Sequence, residues 1–181
     1  MLTLNFTPFP LLTTKRLLLR PLTIADAGEV YVHRSDERIL EFIDSPRAKS
    51  KEDAIAFIEK ISKAIAANES IFWAIQLNPM PAMIGSICIW NINKAEEEAE
   101  TGYVLHPDYQ GKGLMQEALN AVIDYGFHDM HLRRILADVH PQNIRSLALL
   151  IRNGFRQESA ADGFVIYALE QQWRKSQQEV P

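Results

Sequence analysis

The apolar positions of this chain change period along its length, and the changes mark its elements. Leu17, Leu18 and Leu19 lie in a run from Lys15 to Pro21 that reads as a first strand. Thr23, with Asp26 three residues on, reads as the N-cap of a helix running to about Arg34. A second helical stretch covers about residues 36 to 43 and stops before Pro46. Ser50 followed by Asp53 has capping-box spacing, and it opens a longer helix with Ile55, Ile58, Ile61 and Ile65 on one face. The period then shortens. Ile71 to Leu77 and Met83 to Ile92 are short runs rich in Ile and Trp, split by Asn78 to Pro81, which predicts a hairpin. Asn93 to Glu98 reads as a polar turn and Glu100 to Leu105 as a third strand of the meander.

After a glycine-bearing loop, helical spacing returns from Met115 to about Met130. Arg134 to His140 alternates, with Ile135, Ala137 and Val139 on one face. Asn143 caps a helix that runs through Arg152, and Gly154 stands where a helix C-terminus favours glycine. Two short strands follow, near Phe155 to Glu158 and Phe164 to Glu170, and Arg174 to Pro181 reads as a tail. No repeat, linker or boundary interrupts this order. It predicts a single domain over residues 1–181, of the α+β class: a mixed, mostly antiparallel sheet with helices on both faces.

Composition narrows the options. A chain of 181 residues, 47% hydrophobic and 23% charged, can bury a sizeable core. A net charge of −4 argues against a nucleic-acid binder, which needs a basic face. Cys88 is the single cysteine, so no internal disulfide forms and a reducing, cytoplasmic compartment is expected. Residues 1–10 lack the charged and apolar regions of a signal peptide, and no apolar run is long enough to span a bilayer.

The chemistry concentrates at Gln110-Gly-Lys-Gly-Leu-Met115, between a strand and a helix. Two glycines let several N–H groups converge just before a helix N-terminus, an arrangement suited to a phosphate or pyrophosphate. A plain glycine-rich turn is the alternative. A magnesium-nucleotide loop needs Ser or Thr after its lysine, and Gly113 follows Lys112. A dinucleotide fingerprint needs three glycines after a βαβ unit, and the preceding strand here belongs to a meander.

The pattern resembles the GNAT superfamily of acetyl-CoA-dependent N-acetyltransferases. Gln110 and Gly113 match that family's Gln/Arg-x-x-Gly-x-Gly/Ala loop, and Met115 departs from it. Glu100-Thr-Gly-Tyr103, Tyr109 to Met115, Asn143-Ile-Arg-Ser146, Gly154-Phe155 and the opening Thr14 to Arg20 are similar to the branch of ribosomal-protein N-terminal acetyltransferases, in which Met115 is at home. The resemblance covers about residues 14 to 170.

It implies acetyl-CoA as cosubstrate and no metal. The N–H groups of Gly111, Gly113, Leu114 and Met115 would hold the pyrophosphate, within a binding set that also includes Gln110 and Lys112. The pantetheine arm would lie along Tyr103, Val104 and Leu105, where that strand and the next splay apart, and Asn143 would also touch the coenzyme. A backbone N–H of Val104 or Leu105 would serve the oxyanion. Glu100 is the implied base, or else a solvated residue continuing Glu96 to Glu98. Ser146 is the implied acid, because Leu150 occupies the place where many relatives carry a tyrosine; its alternative is a serine that satisfies the first helical turn. Tyr103 is expected to pack. Cys88, Trp73 and Trp90 are most simply core residues, His128 and His131 a surface pair, and His106-Pro107 a shaping element at the loop entrance.

The reaction implied is direct attack of an amine on acetyl-CoA. A protein N-terminus leads among acceptors, with a polyamine, amino acid or aminoglycoside as the alternative. A non-catalytic acyl-CoA-binding module would need neither Glu100 nor Ser146. A monomer or a homodimer is compatible with the sequence, and neither a nucleic-acid nor a membrane partner is expected.

Overall fold

The computed structural model describes residues 2–43, 45–161 and 163–172; the tail expected at Arg174 to Pro181 lies outside them. The strands are β1 (Leu12–Thr13), β2 (Leu17–Pro21), β3 (Ile71–Leu77), β4 (Met83–Asn93), β5 (Glu98–Leu105), β6 (Arg134–Val139), β7 (Arg156–Ala161) and β8 (Phe164–Glu170). The helices are α1 (Ala27–Ser35), α2 (Glu37–Leu40), α3 (Lys51–Ala66), α4 (Leu114–His128) and α5 (Ile144–Arg152). The strands form one sheet in the order β1-β2-β3-β4-β5-β6-β8-β7. Every neighbouring pair is antiparallel except β5–β6.

Helices cover both faces. On one, Leu22, Val30, Ile58, Ala74 and Met83 pack α1 and α3 onto the sheet. On the other, Leu114, Leu119, Ile123 and Phe127 of α4 and Leu150 of α5 close over Ile71, Ile87, Ile135 and Leu169. Trp73 is fully buried there, edge-on to Tyr125 of α4, and its indole N–H donates to the Pro10 carbonyl at 2.8 Å. The alternation read at Ile135, Ala137 and Val139 is the alternation observed, since all three are buried. On α3, Ile58 is buried and Ile55, Ile61 and Ile65 are half-buried.

Several boundaries differ from the sequence reading, each for a local reason. The helix expected from Thr23 begins as a 3-10 turn (Ile24–Asp26), because Asp26 turns back to accept from the Thr23 amide at 2.9 Å. The stretch expected to run to Ile43 is α-helical only to Leu40. The strand read from Glu100 starts at Glu98, which pairs with Asn93 on one side and Arg134 on the other. β1 was too short to register as a periodic run, and the last hairpin extends to Ala161 because β7 follows β8 with a register shift. Trp90 is no core residue: 49% of it is exposed at the outer end of β4.

The parallel pair matters most for the site. β5 and β6 are in register only at Glu98, Ala99 and Glu100, opposite Arg134, Ile135 and Leu136. Beyond that point β5 stays with β4 as far as Leu105, while β6 stays with β8 as far as Val139. The two strands therefore part in mid-sheet, and the cleft expected beside Tyr103 to Leu105 is present. Gly85 sharpens it. A Cβ there would stand 2.4 Å from the Val104 carbonyl oxygen, so only glycine lets β4 press this closely against the diverging end of β5.

Candidate active site

The loop at the end of β5 is built by side chains that hold backbone. The His106 ring accepts from the Asp108 amide at 3.3 Å and caps a 3-10 turn (Pro107–Tyr109). Gln110 then donates to the Leu105 carbonyl at 2.9 Å and accepts from the Arg145 guanidinium at 2.6 Å, so one amide side chain ties β5, the loop and α5 together. Gly111 and Gly113 both have φ of 73°, in the left-handed region that side chains disfavour. Gly113 is the residue before α4, whose first-turn N–H groups at Leu114 and Met115 have no intrahelical partner and point out of the helix end. The Lys112 ammonium folds back to donate to the Asp108 carbonyl at 2.7 Å, over the Tyr109 ring.

This loop has a brace that sequence reasoning missed. The Arg16 guanidinium donates to the Lys112 carbonyl at 3.0 Å and to Glu117, in the first turn of α4, at 2.7 Å. Glu117 also accepts from the Arg16 amide at 2.7 Å and the Thr14 hydroxyl at 2.5 Å. Burial alone would raise the Glu117 pKa, but these donors outweigh it and hold the carboxyl below its ordinary range. No spacing rule links residues a hundred positions apart.

Glu100 faces the α1–α3 side of the sheet, across from Trp90. The strand pairing shifts register between Trp90 and Asn93, and Asn91, at φ of 47°, donates to a Glu100 carboxylate oxygen at 2.6 Å. Left-handed backbone is a conformation that asparagine tolerates better than most residues. Partial burial raises the Glu100 pKa; the Asn91 bond opposes that, and the carboxylates of Asp138 and Glu98 add to it. Two asparagines closing an apolar run were the sequence signal for this bulge.

Tyr103, three positions on, lies on the opposite face of β5, toward α5. It does more than pack. Its hydroxyl lies 2.7 Å from the Ser146 hydroxyl, and burial pushes the phenol pKa up to about 12. Ser146 is fixed in turn by Asn143, whose side chain accepts the Ser146 amide at 3.1 Å and caps α5 as expected. Glu100 and Ser146 thus stand on opposite faces of β5, near the point where β5 and β6 separate. Leu150 is fully buried.

Cys88 is half-buried, its sulfur 3.4 Å from the Gly102 carbonyl, and burial pushes its thiol pKa up to about 12. A thiol held protonated is a poor nucleophile. His128 bonds the Asp124 carbonyl of its own helix at 2.9 Å. Among the described residues, no group of three His, Cys, Asp or Glu could hold a metal ion, and no helix is long and apolar enough to cross a membrane.

An anion-receptive helix end, a strand edge without a strand partner and a carboxylate of raised pKa fit a phosphorylated thioester meeting an amine. Comparison with known proteins bears on the same point. Residues 16–156 match the model of the acetyltransferase (GNAT) domain. An uncharacterized N-acetyltransferase of Bacillus subtilis, YnaD, is 35% identical over 147 residues, covering 81% of this chain and 83% of that one. The [ribosomal protein uS5]-alanine N-acetyltransferase of Escherichia coli is 44% identical over 73 residues, 40% of this chain and 37% of that one. Mycobacterium smegmatis RimJ, solved in complex with CoA-disulfide, shares the fold with a TM-score of 0.77 at 22% identity, over 86% of this chain and 82% of that one. The chain belongs to the GNAT acetyltransferase family and is an acetyl-CoA-dependent N-acetyltransferase.

Proposed function

We propose that the acceptor is the α-amino group of a protein N-terminus, acetylated by direct attack on acetyl-CoA. The observation that carries this reading is the disposition of Glu100 and Ser146 about the β5–β6 cleft, in a chain 44% identical over 73 residues to a ribosomal-protein alanine acetyltransferase. The loop from Gln110 to Met115 would receive the pyrophosphate and the edge of β5 from Tyr103 to Leu105 the pantetheine arm, with Asn143 beside it.

An α-ammonium has no lone pair, but its pKa of about 8 means that a weak base suffices. Glu100, with its raised pKa, takes that proton directly or through water. The amine nitrogen then bonds to the thioester carbonyl carbon, and a β5 backbone N–H at Val104 or Leu105 receives the oxyanion. As the C–S bond breaks, the Ser146 hydroxyl donates to the departing sulfur. The ammonium loses two protons in all: one goes to Glu100 before attack and on to solvent, and the other leaves the tetrahedral nitrogen as the C–S bond breaks and offsets the one gained by the thiol.

Thiol release from acetyl-CoA tests the acceptor class. Peptides beginning Ala, Ser or Met are compared with a panel of polyamines, amino acids and aminoglycosides. Turnover with the peptides is expected. Turnover with small amines alone overturns the protein-modifying reading and leaves a small-molecule acetyltransferase.

A further inference from the structure

We propose that Tyr103 is a positioning residue for the reaction: its hydroxyl donates to the Ser146 oxygen and so turns the single Ser146 proton toward the coenzyme sulfur. This rests on the reading of Ser146 given above.

A serine hydroxyl has one hydrogen and two lone pairs, and its rotor is free unless neighbours fix it. Ser146 is the only hydroxyl residue in α5, and Leu150, one turn on, is buried in the core. Its backbone is anchored by Asn143 at 3.1 Å, which places the Cβ but not the hydrogen. Among the described residues, the one side-chain partner of the Ser146 oxygen is the Tyr103 hydroxyl at 2.7 Å.

Either oxygen could donate across that contact, and the phenol's surroundings decide which. Burial keeps Tyr103 protonated far above neutral pH, and among the described residues its hydroxyl makes no other hydrogen bond. With Tyr103 donating, the Ser146 hydrogen is left free for a third group. In the reaction that group is the thiolate set free as the C–S bond breaks. As the Ser146 proton moves toward sulfur, charge grows on the serine oxygen and the Tyr103 bond strengthens against it. Tyr103 keeps its own proton, and Ser146 recovers one from the proton released by the amine.

The test uses the full-length protein with coenzyme A as probe. The bound thiol is titrated by the ultraviolet absorbance of the thiolate, and kcat and KM are measured with an accepted amine. In the wild type the bound thiol should titrate below the thiol of free coenzyme A measured in the same buffer. Tyr103→Phe and Ser146→Ala should both raise that pKa and both lower kcat about tenfold or more. KM for acetyl-CoA should stay near wild type, and the double variant should lose no more kcat than either single one.

An unchanged thiol titration and kcat in Tyr103→Phe, with both altered in Ser146→Ala, overturns the Tyr103 role and leaves the Ser146 acid standing. No change in either variant removes both. Losses that multiply in the double variant also overturn it, because Tyr103 would then act independently. A second measurement needs no substitution: in fluorotyrosine-labelled protein the Tyr103 fluorine resonance should shift further with coenzyme A than with desulfo-coenzyme A, which keeps the pantetheine arm but lacks the sulfur. Equal shifts with both overturn the proposal.

Discussion

Arg16 and Glu117 are joined through both main chain and side chain: one carboxylate accepts the Arg16 amide and guanidinium, each at 2.7 Å. The guanidinium reaches on to the Lys112 carbonyl. The first hairpin therefore braces the loop from Gln110 to Met115, although it lies about a hundred residues away in the chain. Removing Arg16 leaves the loop's glycines free to wander. Arg16→Ala and Glu117→Gln should each weaken acetyl-CoA binding about fivefold, the equivalent of one net hydrogen bond of about 1 kcal/mol, with kcat close to wild type. Titration calorimetry with acetyl-CoA measures this directly.

Glu100→Gln should separate activity from stability. In the proposed mechanism this change removes the base, so kcat should fall about a hundredfold. At neutral pH the same change removes a partly buried carboxylate that faces Asp138 and Glu98, while the amide can still accept from Asn91. Tm should hold or rise by about 2 °C. In the wild type, kcat/KM should fall on acidification with a pKa above the ordinary glutamate value. A variant that loses both activity and several degrees of Tm would point to a structural role instead.

His33 predicts a pH dependence of stability. It is 4% exposed, its Nδ1 has no hydrogen-bond partner among the described residues, and its ring lies 6.1 Å from that of His106. Burial, helped by His106 and opposed by Asp36, lowers its pKa to about 4. The unfolded chain takes up this proton near pH 6.5 and the folded one only near 4. The His33 contribution is therefore intact above about pH 6.5 and is lost as pH falls toward 4, a change on the order of 3 kcal/mol. Urea unfolding of wild type and His33→Leu across that window should show the wild type alone losing this amount.

Asp26 should matter more than a surface ion pair. Its carboxylate takes two hydrogen bonds from Arg20, at 2.7 and 2.9 Å, and the two side chains are only 6% and 17% exposed. Burial would raise the Asp26 pKa, but the Arg20 and Thr23 bonds outweigh it and hold it below the ordinary range. The pair's contribution is present above about pH 4 and lost as pH falls through the depressed value. Asp26→Asn should cost roughly 3 kcal/mol at neutral pH, read by denaturant unfolding.

Local chemistry made much of this legible in advance. Ser50 with Asp53, Asn143 and the glycines of the loop announce themselves because their reason lies within a few residues, and the alternation in β6 reports a face buried against helices. What depends on distant partners was hidden. Trp90 read as core because apolar periodicity cannot say where a helix stops covering a strand. Tyr103 read as packing because its partner, Ser146, lies 43 positions on. The Arg16 brace and the raised pKa of Glu100 likewise come from neighbours that only the folded chain supplies.

The three-residue contact between β5 and β6 has a thermodynamic consequence. Strands β1 to β5 and strands β6 to β8 form two plates joined across a short seam, and past Glu100 the facing edges offer amide groups with no strand opposite. A pantetheine arm, which carries amides of its own, would act there as a missing strand. The cosubstrate would then be a structural member of the sheet, and its arrival would slow hydrogen exchange on both plates together.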